Sequence, residues 1–262
     1  MTETQVRFDD GAAYEEMMGK WSRIAGEVFL DWLALPKGLR CLDVGCGNGA
    51  FTELLMQRCT PAETHGVDPS PAQLAFARTR PGTRGAQFHE GDAMALPFAE
   101  NRFDATTMAL VIFFVPEPAK GVAEMVRVVQ PGGWVTAYVW DVPGGGFPME
   151  AFRQEMRAMG LKPIGPPQED ASRLDVLGKL WANAGLENLE TREITVHRTF
   201  TDFESCWTTT LKGASVGPMV AKMTAGERDK FKAGVRARVS PGADGRLTLA
   251  GRANAIKGRV PK

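Results

Sequence analysis

A glycine-rich segment and a downstream aspartate are the residues of this chain whose types and spacing most directly indicate a chemistry. Residues 42–49 read LDVGCGNG, and Asp68 follows this loop by about 20 residues. Glycine has no Cβ, so such a loop turns tightly and lets its backbone approach a ligand closely. An aspartate at that distance can accept hydrogen bonds from both hydroxyls of a ribose. Together these residues predict a cofactor that contains a nucleoside.

Two classes of nucleoside cofactor fit this loop. Its letters GCGNGA satisfy the dinucleotide fingerprint, in which Asp68 would bind the NAD ribose. Asp43, however, stands inside the strand just before the first glycine. A pyrophosphate needs a helix N-terminus that is open to an anion, whereas a carboxylate beside the loop suits a cationic amine. The charge therefore favours an adenosyl ligand that carries an ammonium group.

Alternating strands and helices must position these residues. Apolar side chains at intervals of three and four, beginning at Tyr14, predict an amphipathic helix over residues 13–33. Continuously apolar segments predict five strands, at Leu39–Val44, Thr64–Val67, Ala86–His89, Phe103–Val115 and Trp134–Trp140. Helices between such strands indicate a doubly wound α/β sheet that is covered on both faces. Ligands of these sheets bind beyond the carboxyl ends of the strands, where the loop and Asp68 are expected.

The second half of the chain predicts more helices and two further strands. A helix is expected at Glu150–Met159, followed by the proline-rich connector PIGPPQED. Thr201-x-x-Glu204 and Thr224-x-x-Glu227 are capping-box patterns that each open a helix. The alternating segments Glu190–Arg198 and Arg246–Val260 predict strands that pair antiparallel.

Five motifs occur in one order along the first half of the chain. They are LDVGCGNG (42–49), GVDPS (66–70), GDAMALPF (91–98), FDATTMALV (103–111) and QPGGW (130–134). In this order and spacing the chain resembles the class I S-adenosylmethionine-dependent methyltransferases, in the small-molecule branch similar to the ubiquinone/menaquinone-biosynthesis enzymes. The resemblance implies a Rossmann-like sheet of seven strands with an antiparallel last strand and helical cap insertions. It implies one domain, 1–262, with a cofactor-binding core at 14–140 and caps at 141–172 and 199–245 that shape the substrate pocket.

The resemblance also implies a role for particular residues, with S-adenosyl-L-methionine as cofactor. The methionine part would be lined by three glycines, Gly45, Gly47 and Gly49. Asp43 would lie near the amino group of the cofactor. The stretch from Tyr14 to Arg23 resembles a helix that closes over the cofactor, with Arg23 paired to its carboxylate. A surface role for Arg23 stays open as the alternative.

The adenosine part and the reacting centre are assigned in the same way. Asp68 would hold both ribose hydroxyls, Asp92 the adenine amino group, and Ala93 would supply a backbone contact. Leu110, after the fourth strand, would lie close to the sulfonium. The alternative for Asp92 is a role in the turn that follows Gly91.

Methyl transfer from a sulfonium needs mainly alignment, which can supply about 7–11 kcal/mol. No catalytic residue is therefore assigned, and a general base is required only if the acceptor must lose a proton. Asp141 and His197 are the nearest candidates by position.

The acceptor is predicted to be a small apolar molecule. The chain reads ALVI where resembling amine and amide methyltransferases carry Asn/Asp-Pro-Pro-Tyr, and it lacks the cysteines of an arsenite methyltransferase. The candidate apolar lining is Phe113, Phe114, Trp140, Phe147, Met149, Phe152 and Trp207.

Three alternative functions stay open. Residues 222–262 hold eleven Lys/Arg against three Asp/Glu, which would serve methylation of RNA or another polyanion. An NAD(P)-linked oxidoreductase and a non-catalytic nucleoside-binding module are the others. We expect a small-molecule substrate and no nucleic acid.

Composition and cysteine usage bound the remaining classes. The chain has 262 residues, 44% of them hydrophobic and 24% charged, which are ordinary globular proportions. It shows no secretory signal and no run long enough to span a membrane. Four scattered cysteines fit neither disulfides nor a metal site, which indicates a reducing cytoplasm. We expect a cytoplasmic monomer or homodimer.

Overall fold

The computed structural model describes residues 15–213 and 215–262, so the predicted contribution of Tyr14 lies outside the described residues. Its centre is one sheet of seven strands. The strands are β1 (Arg40–Val44), β2 (Glu63–Asp68), β3 (Gln87–Glu90), β4 (Phe103–Ala109), β5 (Val129–Trp140), β6 (Glu187–Phe200) and β7 (Leu247–Arg259).

The sheet has the strand order β3-β2-β1-β4-β5-β7-β6. Strands β1 to β5 pair in parallel, whereas β7 is antiparallel to both β5 and β6. The chain first builds outward from β1 and then returns to place β4 on its other side, so the strand order switches between β1 and β4. The predicted doubly wound sheet with an antiparallel last strand is confirmed.

Helices flank this sheet in the order that the alternation predicts. They are α1 (Lys20–Leu33), α2 (Ala50–Cys59), α3 (Pro71–Thr79), α4 (Pro118–Val128), α5 (Glu150–Ala158), α6 (Leu174–Asn183), α7 (Phe203–Leu211), α8 (Val216–Ala221) and α9 (Ala225–Arg238). A single π-helical turn, Glu15–Gly19, precedes α1.

Two predicted boundaries are wrong for local reasons. The fourth strand ends at Ala109 because Leu110 takes a positive φ of 63° and Ile112–Phe114 forms a 3-10 turn. The motif QPGGW, which is expected to form a turn before the fifth strand, lies instead within β5. The pairing register of β4 and β5 shifts there, between Phe103 and Ala105 of β4. A glycine pair thus makes an irregularity inside a strand and does not end it.

The two predicted capping boxes have different outcomes. Thr224 and Glu227 exchange both bonds of a capping box at the start of α9, as predicted. At the start of α7 the cap is Asp202, whose side chain accepts from the backbone N–H of Ser205, so the predicted cap at Thr201 is wrong. Aspartate is as good an N-cap as threonine, and the helix begins one residue later.

Candidate functional site

The glycine loop follows β1 and opens α2. Gly45, Gly47 and Gly49 have φ of 76°, 50° and 78°, the left-handed region that favours glycine. A Cβ on Gly45 would overlap the side chain of Val111, and one on Gly49 would come within 3.0 Å of Ala77. Space beside Gly47 is open. Gly45 and Gly49 are therefore required for close packing as well as for conformation, and Gly47 borders the cleft.

Asp68, at the carboxyl end of β2, ties the loop to the next turn. Its Oδ2 accepts from the backbone N–H of Gly47 and its Oδ1 from that of Ser70, both at 2.9 Å. Burial raises the pKa of Asp68, and the two N–H donors oppose that effect. Each carboxylate oxygen has two lone pairs, so the side chain can also accept two hydroxyl donors from the cleft that it lines.

Asp43 lies behind the loop and not on the cleft wall. It is fully buried, and Thr52 donates a hydrogen bond of 2.6 Å to its Oδ2. Its Oδ1 is buried and has no hydrogen-bond partner among the residues that the structure describes. Burial raises the pKa of Asp43 to about 7, because removal from water disfavours the charged form.

The other predicted residues of the adenosine part and the reacting centre line the same cleft. These are Asp92, Ala93 and Leu110. The Oδ1 of Asp92 accepts from the backbone N–H of Met94 at 2.8 Å, so this carboxylate does take part in a turn. Leu110 donates its N–H to the carbonyl of Tyr138, which fixes the left-handed residue at the end of β4.

Arg23 stands apart from this group, and the structure corrects its predicted place over the cofactor. Its side chain is half exposed and pairs with Glu27 at 3.3 Å on the outer face of α1. Ser22, its neighbour in α1, lines the cleft. Successive residues of an α-helix point about 100° apart, so the two side chains of one helix turn face different ways.

The cleft has a volume of about 1270 Å³, more than the roughly 300–1,000 Å³ of a typical small-molecule site. One wall is the carboxyl edge of the sheet. The opposite wall is formed by α5 and the proline-rich segment after it, with Arg153, Arg157 and residues 162–170. A cleft of this size holds a nucleoside cofactor together with a small second molecule.

The cap segment 141–172 was predicted at the pocket, but the contacts that build its proline-rich wall were not. Arg153 holds it against α5, because its guanidinium donates to Glu169 at 2.8 Å and to the carbonyl of Ile164 at 3.4 Å. Only 6% of the Arg153 side chain is exposed. A run of prolines by itself predicts only a connector. The sequence feature that could have indicated an ordered wall is the pair Arg153 and Glu169, which are 16 residues apart.

The predicted substrate-contacting residues lie mostly elsewhere. Of the seven aromatic and methionine side chains proposed as lining, Phe114 lines the cleft, and the others pack outside it. Within the described residues, none from 199–245 lines the cleft, because α7 and α9 pack behind α5. Segment 141–172 alone supplies the predicted cap at the cleft.

The two candidate bases are also remote from the cleft. Asp141 is buried and paired with Arg252 at 2.5 Å, and it accepts from the N–H of Gly144. His197 is exposed on β6, the edge strand of the sheet. Neither side chain lines the cleft.

Comparison with known proteins gives a consistent class. A family model described as a methyltransferase domain matches residues 42–137. The demethylmenaquinone methyltransferase of Thermus thermophilus is 36% identical over 129 residues, which make up 48% of this chain and 57% of that protein. The chain spans about half the length of the curated relatives it matches.

Solved structures share the fold. The Haemonchus contortus phosphoethanolamine N-methyltransferase 2, in complex with S-adenosylhomocysteine, gives a TM-score of 0.60 at 20% identity, covering 97% of this chain and 58% of that one. The [4+2]-cyclase SpnF gives 0.53 at 21% identity, covering 91% and 81%. At such identities the likeness shows the fold alone, and these two neighbours carry different activities.

Proposed function

We propose that this chain, whose residues 42–137 are a methyltransferase domain, is an S-adenosylmethionine-dependent methyltransferase that acts on a small, apolar organic acceptor. The resemblance drawn from the five motifs is confirmed by the family match and the curated relative. The observation that carries the proposal is the shared cleft of the glycine loop, Asp68, Asp92 and Leu110.

The residues at the carboxyl edge of the sheet fit the proposed cofactor. Asp68 has lone pairs left for a ribose diol, and Gly47 leaves open space beside the cleft. Asp92 and Ala93 are the proposed adenine contacts, and Leu110 is the proposed neighbour of the reacting centre. The carboxylates of Asp43, Asp68 and Asp92 give this end of the site a negative potential, which favours a cation. When bound, S-adenosylmethionine supplies an electrophilic methyl group on a positively charged sulfur.

The protein's own contribution is alignment and exclusion of water. Apolar side chains share the cleft with Leu110, namely Val111, Phe114, Val115 and Ile164 of the proline-rich wall. They would hold an apolar acceptor near the reacting centre. The relative from Thermus thermophilus is named for demethylmenaquinone, which supports an apolar ring as the acceptor class.

The alternatives are weaker on specific grounds. A buried carboxylate behind the loop, Asp43, opposes the pyrophosphate of a dinucleotide. The basic C-terminal part is neutralised in part within the molecule, which disfavours a polyanionic substrate. Ion pairs join it to acidic residues from earlier in the chain: Lys232 and Arg236 to Glu204, Arg238 to Glu155, Arg252 to Asp141, and Lys257 to Glu190.

Calorimetric titration with S-adenosylmethionine, S-adenosylhomocysteine and NAD tests the cofactor. We expect micromolar binding of the first two and none of NAD. Asp68→Asn should weaken S-adenosylhomocysteine about a hundredfold, because it removes charge-assisted bonds to the diol. Asp175→Asn, an exposed carboxylate, is the matched control. Binding of NAD alone would overturn the proposal.

Methyl-labelled S-adenosylmethionine tests the acceptor class. Incubation with a panel of hydroquinones and phenols should transfer label to at least one of them. Transfer to RNA with none to the small molecules would contradict an apolar acceptor and leave the cofactor assignment standing.

A further inference from the structure

The turn that follows α3 packs directly against the back of the glycine loop. Arg80, the residue after α3, donates from Nε to the backbone carbonyl of Asn48 at 2.6 Å. Its Nη1 donates to Glu53, in the first turn of α2, at 3.1 Å. One guanidinium therefore joins the loop and the helix that the loop opens.

The surrounding contacts leave little freedom for this arrangement. A Cβ on Gly49 would press against Ala77 of α3, and a Cβ on Gly82 would overlap the carboxylate of Glu53. Thr83 donates its hydroxyl to the carbonyls of Ala77 and Arg80, which closes the turn. The loop and the 77–83 turn thus interlock through two glycines and one arginine.

The chemistry of arginine suits this position. Its planar guanidinium presents donors in a fixed fork. Only 13% of the Arg80 side chain is exposed, and its guanidinium lies 5.4 Å above the ring of Phe76. A hydrogen bond from a charged donor in such partial burial is stronger than a neutral one.

The bonded carbonyl belongs to Asn48, a residue of the loop that lines the cleft. Asn48 lies between Gly47, whose N–H binds Asp68, and Gly49, the N-cap of α2. Release of this carbonyl would free the part of the loop that faces the methionine half of the cofactor. The Asp68 carboxylate would keep its second donor, Ser70, and would stay in place for the ribose.

We propose that Arg80 is a positioning residue that holds the glycine loop in the conformation that binds the methionine part of the cofactor. The inference rests on the proposed function for its ligand. It predicts a selective loss, because adenosine lacks the methionine part and contacts the loop less.

Titration of wild type, Arg80→Ala and Arg80→Lys with S-adenosylhomocysteine and with adenosine tests the proposal. In Arg80→Ala the Kd of S-adenosylhomocysteine should rise at least tenfold, and that of adenosine by less than threefold. Arg80→Lys should recover part of the affinity, because an ammonium can reach one of the two acceptors but not fork between them. Arg78→Ala is the control, since Arg78 lies on the same helix and donates to the carbonyl of Phe88 in β3.

A second measurement reads the loop without any ligand. Amide hydrogen exchange of residues 45–50 should be faster in Arg80→Ala than in wild type, with exchange in β4 and β5 unchanged. If Arg80→Ala does not fold, Glu53→Gln replaces it in both measurements, because this variant weakens the bond between Glu53 and the Arg80 guanidinium.

The outcomes separate the two proposals. An equal loss of both ligands, or no loss with unchanged loop exchange, would overturn the role of Arg80. Failure of wild type to bind S-adenosylhomocysteine would overturn the proposed function, and the loop exchange would then show separately whether Arg80 holds the loop.

Discussion

Asp43 places a buried carboxyl group directly behind a loop that is proposed to bind a cation. Because burial raises its pKa to about 7, the folded protein holds a proton there that the unfolded chain releases near pH 4. The stabilising contribution of Asp43 is therefore fully present below pH 4 and is lost as pH rises through 7. The cost of the charged form at high pH is on the order of 4 kcal/mol.

This titration predicts a pH dependence of cofactor binding. A cationic ligand favours the charged form of Asp43, so binding should release a proton and tighten about tenfold from pH 6 to pH 8. Asp43→Asn should remove most of that dependence. Calorimetry in buffers of different ionisation enthalpy measures the proton release. Equal pH dependence in wild type and Asp43→Asn would contradict the role of this carboxylate.

The three loop glycines should differ in what an alanine costs. At Gly45 a Cβ would overlap Val111, so Gly45→Ala adds a steric clash to the strain of a positive φ. At Gly47 space is open, and Gly47→Ala should cost only about 1–2 kcal/mol of left-handed strain. Urea unfolding should therefore show a larger loss of stability for Gly45→Ala. Equal losses would mean that Val111 moves aside freely.

At the scale of elements, the proline-rich wall depends on one buried arginine. Arg153 forms ion pairs with Glu150 and Glu169 and lies against the ring of Phe147. Its removal breaks charge-assisted hydrogen bonds to Glu169, which is partly exposed, and such a loss costs about 1.5–3 kcal/mol. Arg153→Ala should destabilise the protein by that amount in urea unfolding.

Two matched variants separate charge from packing at this wall. Arg153→Met with Glu169→Gln removes charge from both partners and should be milder than Arg153→Ala alone. Arg157→Ala breaks a half-exposed pair with the same Glu150 and should cost less than about 1 kcal/mol. A double variant as unstable as Arg153→Ala would show that the wall depends on the shape of arginine and not on its charge.

The contrast between these elements explains how far sequence reasoning reaches. The glycine loop, Asp68, Asp92 and Leu110 were predicted because each follows a buried strand at a short, regular spacing, and parallel strands bring their carboxyl ends together. The cap segment 141–172 was predicted at the pocket, but the contact that builds its proline-rich wall was not, because Arg153 and Glu169 meet only after α5 and the turn beyond it have folded. Arg23 was misplaced because helix phase decides which neighbour faces the cleft, and Ser22 has that phase.

At the scale of the whole molecule, membrane spans and net charge bear on the kind of partner. Among the helices of the described residues, none is long and apolar enough to cross a membrane. One domain over the whole chain, the cytoplasmic location and the monomer or homodimer stay predictions.

The charge distribution makes the last prediction. Residues 222–262 carry eleven basic and three acidic side chains. Yet five of those basic residues pair with four carboxylates from elsewhere in the chain, which offset about half of the excess positive charge. A protein that binds RNA through several phosphates loses affinity steeply with salt. We expect no measurable binding of a polyuridine oligomer at a physiological ionic strength of about 0.15 M.

Glu204→Lys, which unpairs Lys232 and Arg236 and adds a positive charge, should create weak binding of this oligomer that disappears as salt is raised. Fluorescence anisotropy across a salt series measures both. Tight, salt-sensitive binding by the wild type would restore the polyanion as a substrate, because the neutralising pairs would then have failed to mask the basic surface.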